Sequence, residues 1–69
     1  MSVVKVIELI GCSEISWEQA TRNALDEAAK TIQNIRSIYV KAFSAKVESN
    51  QIVEYKANIK VSFVVDQEL

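Results

Sequence analysis

Val53-Glu54-Tyr55-Lys56-Ala57-Asn58-Ile59-Lys60-Val61-Ser62-Phe63-Val64-Val65 decides the fold of this chain. Apolar residues hold every odd position and polar residues nearly every even one, the period of two that a β-strand with one covered face requires. At 3.3 Å per residue the stretch predicts a strand of about 43 Å. Just upstream, Glu48-Ser49-Asn50-Gln51 is a polar connection of hairpin length, with Asn50 suited to the left-handed region. Ile38 to Val47 is therefore the antiparallel partner, with Tyr39, Phe43 and Val47 on one alternation set and Ile38, Val40, Ala42 and Ser44 on the other.

Farther upstream, Ser16-Trp17-Glu18-Gln19 fits a capping box, in which Ser16 accepts from the amide three residues on and Gln19 reaches back to the cap. Trp17, Ala20, Ala24, Ala28, Thr31 and Ile35 then recur at spacings of three and four, which predicts one amphipathic helix of about 19 residues, ~28 Å long. Glu14 and Glu18 at its start and Lys30 and Arg36 near its end would complement the helix dipole. The alanines on the apolar stripe, Trp17 included among its core residues, predict a close approach to the sheet. Val3 to Ile10 is apolar on both alternation sets, as expected of a central strand covered on both faces. Gly11, the only glycine, is expected to mark the turn out of that strand, where a positive φ or a close backbone approach suits glycine alone. The order is strand, helix, strand, strand: an α+β protomer in which a three-stranded antiparallel sheet carries one amphipathic helix, as a single domain over 1–69.

Composition narrows the function. A chain of 69 residues has room for one small core, and small chains commonly add disulfides, a metal or a partner. One cysteine, Cys12, and no histidine leave association as the remaining route. Eight basic residues against nine acidic ones give a formal charge of −1 with no basic stripe, which excludes a nucleic-acid binder as the expected class. No signal-peptide pattern and no apolar run of about 20 residues is present, so the expectation is a cytoplasmic protein without membrane contact. With no histidine to activate Cys12 and no glycine-rich phosphate loop, no enzyme is expected.

The predicted hairpin is longer than the predicted helix and overhangs its own domain, with neither proline nor bulge glycine to blunt the edge. Glu54, Lys56, Asn58, Lys60 and Ser62 would line the sheet face away from the helix, too polar for a dry core. A closed homo-oligomer satisfies both features. The same alternation is also what a solvated face on a monomer or dimer gives.

Three stretches resemble the dodecin family: Lys5 to Ser13, Ser16-Trp17-Glu18-Gln19-Ala20, and Glu54 to Phe63. The resemblance covers nearly the whole chain. It implies a β-α-β-β protomer, twelve of which form a hollow shell, and a non-catalytic binding or storage role in which flavins (FMN or riboflavin) sit at contacts between subunits. Carried over by position, the family's stacking tryptophan corresponds to Ser37 and its hydrogen-bonding glutamine to Lys56, with Tyr39 a further aromatic near the site. Serine cannot stack, and lysine donates but cannot accept, so the resemblance implies a flavin site weakened or altered. Stacking in comparable platforms contributes roughly 1 to 3 kcal/mol per ring. Ile35-Arg36 leading into the second strand and Ser16-Trp17-Glu18 opening the helix are similar to calcium-type dodecins, which implies a divalent cation as the alternative occupant. The chain has no Asp-x-Asp-x-Asp-Gly loop, so the residues that would hold a metal are not assignable from the sequence.

Overall fold

A computed structural model describes residues 2–66. The order is β1 (Ser2–Ser13), α1 (Trp17–Ala29), β2 (Ile35–Glu48) and β3 (Gln51–Asp66). All three strands pair antiparallel in one sheet ordered β1-β3-β2. The expected α+β class and β-α-β-β order hold, but the central strand is β3, not β1. The helix carries the chain from one edge strand to the other, and β3 returns between them along both, a split β-α-β arrangement. β1 is apolar on both sets for another reason. Ile7 and Leu9 pack on the helix side, whereas Val4, Val6 and Ile10 are 61%, 54% and 62% exposed on the opposite face.

The capping signal is read correctly in part. Ser16 is extended and its side chain accepts from the Gln19 amide at 3.0 Å. The Gln19 side chain, however, donates to Asn23 Oδ1 at 2.8 Å instead of returning to the cap. The helix stops at Ala29, six residues short of the periodic stripe. Ile32 and Ile35 still pack against the core, from the connecting segment and from β2, so they extend the apolar pattern beyond the helix itself. Asn34 turns the chain with φ 64°, and its carbonyl accepts from the Val64 amide at 3.3 Å. Lys30 therefore caps the helix and Arg36 lies in β2, so no basic residue occupies the last turn.

The core is small and built on alanine. Ala20, Ala24 and Ala28 lie on Ala57, Ile59 and Val61, and Ile59 and Val61 are the largest side chains fully removed from solvent. Gly11 is no turn residue. It is buried within β1, which runs on to Ser13, and glycine is needed there because a Cβ would overlap the Ala20 carbonyl oxygen.

Ser49 and Asn50 form a two-residue turn, both at positive φ (52° and 62°), the geometry that matches the twist of a tight hairpin. β2 is not regular. Its register against β3 shifts at three places, between Ile35 and Ser37, between Val40 and Ala42, and between Lys46 and Val47. The first two shifts each insert a residue into β2 and exchange its faces, so Tyr39 and Phe43 lie on opposite sides despite sharing an alternation set. These bulges disrupt the exposed edge without glycine or proline. The overhang is real: the molecule extends 57 Å, whereas a helix of 13 residues spans about 20 Å.

Candidate functional site

Strand register divides the sheet into a helix side and an open side. On the open side the even residues of β3 run from Lys56 through Asn58 and Lys60 to Ser62. They are flanked by Val6, Glu8, Ile10 and Cys12 on β1 and by Ser37, Tyr39, Ala42 and Ser44 on β2. The face expected from alternation to be polar is thus half polar and half apolar, because β1 contributes Val6 and Ile10.

All three residues singled out from the sequence lie on this side. Ser37 stands opposite Ser62, Tyr39 opposite Lys60, and Lys56 between Cys12 and Ser44. Tyr39, whose direction the sequence left open, is 65% exposed. Ser37 and Lys56 are not neighbours. Six positions of β3 separate their levels in the sheet, about 20 Å.

Two residues at the middle of the face, Glu8 and Lys41, escape sequence reasoning, and they meet beside Asn58, which alternation places there. Lys41, the bulged residue of β2, reaches across β3 so that its Nζ lies 3.3 Å from Glu8 Oε2 on β1. The Asn58 side chain, a hydrogen-bond donor to Glu8, and then the Lys41 ammonium hold the Glu8 carboxyl below its usual range. Asn58 Oδ1 is buried without a hydrogen-bond partner among the described residues. The pairing of Glu8 with Lys60 followed from alternation once the strand order was known, but the bulge at Lys41 has no sequence signal.

Trp17 also departs from its expected place. Its ring packs edge-on against Tyr55, with centroids 4.8 Å apart, and tilts against Phe43 at 6.1 Å, yet it stays 38% exposed. Its Nε1 donates to the Ser44 carbonyl at 2.8 Å. It belongs to the helix side and contributes nothing to the open face. Beside it, α1 leaves part of β2 uncovered, and a groove of about 460 Å³ opens there between Thr21, Arg22 and Leu25 of the helix and Ile38 and Phe43 of the strand.

Among the described residues, no group of three or more histidine, cysteine, aspartate or glutamate side chains is placed to hold a cation. No described helix is long and apolar enough to cross a membrane.

The chain is thus a split β-α-β unit with an overlong hairpin and one open sheet face of mixed polar and apolar residues. The family model named Dodecin matches residues 3–66, and the chain belongs to the dodecin family. It is 40% identical over 63 residues to the calcium dodecin of Mycobacterium tuberculosis, covering 91% of this chain and 89% of that protein. A crystal structure of that mycobacterial protein, described as a calcium-chelating antigen with a novel calcium-binding site, superposes with a TM-score of 0.82 at 36% identity, covering 97% of this chain and 99% of that one. A point mutant of the Thermus thermophilus dodecin superposes with a TM-score of 0.92 at 30% identity, covering 97% of this chain and all of the other. Sequence identity is higher to the mycobacterial protein, and backbone similarity is higher to the Thermus one.

Proposed function

We propose that the protein is a non-catalytic, self-assembling binding protein that holds a small ligand between protomers on the open sheet face. The observation that carries this reading is the exposure of Val4, Val6 and Ile10 beside Lys56, Asn58, Lys60 and Tyr39 on a single face. Such a surface binds an amphiphilic planar molecule or another copy of itself, and a 69-residue chain with an alanine-rich core gains stability from being covered. One domain over 1–69 and a shell of twelve copies, as in the family, are the arrangement proposed.

Within that reading the flavin-type site is altered. Ser37 offers no ring for stacking and Lys56 no acceptor, so FMN or riboflavin binds weakly through Tyr39 and the lysines or is not held. The 20 Å between Ser37 and Lys56 supports a ligand shared by two protomers.

A second reading, a calcium-type assembly with no flavin, is favoured by the 40% identity to the mycobacterial calcium dodecin. Among the described residues one protomer does not furnish a cation site, so carboxylates from several copies would have to converge. Two titrations separate the readings. Quenching of riboflavin fluorescence by the protein supports the flavin reading. A rise in melting temperature with calcium that EDTA reverses, with no quenching, supports the cation reading. Absence of both responses contradicts the binding role.

A further inference from the structure

On β3 the open face carries Lys56, Asn58 and Lys60 in turn, each about 6.6 Å from the next. Lysine donates hydrogen bonds and cannot accept them, whereas the asparagine amide does both. The nitrogen of that amide is engaged, because the Asn58 side chain donates to Glu8 on β1 and an ionised carboxylate only accepts. The other branch is therefore the oxygen, and Asn58 Oδ1 is buried with no hydrogen-bond partner among the described residues. Along the strand the order is thus donor, acceptor, donor.

The acceptor lies beside a strap. Lys41 is inserted in β2 between Val40, opposite Ile59, and Ala42, opposite Asn58. Its Nζ reaches across β3 to Glu8 Oε2 at 3.3 Å, and Glu8 stands opposite Lys60. The Lys41 side chain therefore passes over β3 between Asn58 and Lys60. The side chains of Lys41 and Glu8 are 51% and 42% exposed, and an ion pair so open to water holds its partners loosely. The buried carbonyl has lost its hydration and recovers that cost only when a donor reaches it.

Within the ligand-binding role proposed above, on which this rests, we infer that Asn58 sets specificity on the open face: Lys41 swings off Glu8, and Asn58 Oδ1 accepts from a ligand N–H whose two flanking carbonyl groups take the ammonium groups of Lys56 and Lys60. The ligand class is a planar cyclic imide, whose edge reads acceptor, donor, acceptor and so complements the strand. Long flexible stems let both ammonium groups close on that edge. Ile10, directly opposite Asn58 on β1, and Val6 nearby are exposed and offer apolar surface to the ring. A metal cation is disfavoured at this spot by the same two ammonium groups.

Riboflavin and its N3-methyl derivative are a matched pair of probes, the second lacking the imide N–H. By fluorescence quenching, the wild-type protein should hold riboflavin about tenfold or more tightly than the derivative, which leaves the buried acceptor unpaired. Asn58→Val should abolish that ratio. Lys41→Ala removes the strap from a half-exposed position and should tighten riboflavin by up to about fivefold without tightening the derivative. If Asn58→Val loses its far-ultraviolet circular dichroism, the wild-type ratio and Lys41→Ala decide. Equal affinity of the wild-type protein for the two compounds, a ratio kept by Asn58→Val, or a Lys41→Ala variant that tightens neither compound or both overturns the inference and leaves flavin-type binding standing. A wild-type protein that quenches neither compound overturns both.

Discussion

Gly11 in β1 and Ala20 in α1 are packed backbone to backbone: a methyl group on Gly11 would overlap the Ala20 carbonyl oxygen and stand 2.8 Å from the Ala24 Cβ. Neither obstacle is a flexible side chain that could swing aside. Gly11→Ala must lift the helix or bend the strand, and overpacking of this kind costs about 1–3 kcal/mol or more. Urea denaturation should show the variant less stable by at least that amount. Unchanged stability would mean that the helix rides higher on the sheet than described.

Trp17 fixes the start of the helix to the edge strand through its hydrogen bond to the Ser44 carbonyl. Trp17→Phe keeps the ring contact with Tyr55 and removes the donor. The expected loss is about 0.5–1.5 kcal/mol, the net contribution of one hydrogen bond. Trp17→Ala also removes the aromatic packing and should cost more, by thermal melting under the same conditions.

Glu8 gives stability a dependence on pH. Its carboxyl is held below the ordinary value of 4.5 by the Asn58 side chain first and Lys41 second. A depressed native pKa contributes stability that is present above the unfolded value and is lost as pH falls through the native one. The difference in melting temperature between the wild-type protein and Glu8→Gln should therefore be largest near neutrality and shrink as the pH drops below about 4.5. A difference that does not change with pH would detach Glu8 from its two partners.

Ser37 supplies the sharpest test of the proposed altered flavin site. Restoring an aromatic platform by Ser37→Trp should tighten riboflavin binding by about tenfold or more, since stacking contributes roughly 1–3 kcal/mol per ring and each 1.4 kcal/mol is tenfold. Fluorescence quenching measures it directly. Equal affinity in the variant and the wild-type protein would place the ligand away from Ser37.

The hairpin, the capped helix start and the close helix-to-sheet contact were legible because each has a local cause: alternation from Val53 to Val65, the Ser16 side chain, and alanines along one face of the helix. The helix end was not, because Ile32 and Ile35 continue the apolar period after the backbone has left the helix, and Asn34 rather than glycine makes the turn. Strand order was hidden for a similar reason, since Val4, Val6 and Ile10 mimic a doubly covered strand while facing outward. Of the candidate site, the face was legible and its layout was not. Bulges at Arg36 and Lys41 set where Ser37 and Tyr39 point, and they depend on the pairing with β3. The separation of Ser37 from Lys56 is a property of strand register.

The mass of the protein in solution bears most directly on the proposal that it is a self-assembling binding protein. Light scattering or sedimentation at micromolar concentration should return a value near twelve times the 7.7 kDa of one chain. The mass of a single chain or a dimer would contradict it.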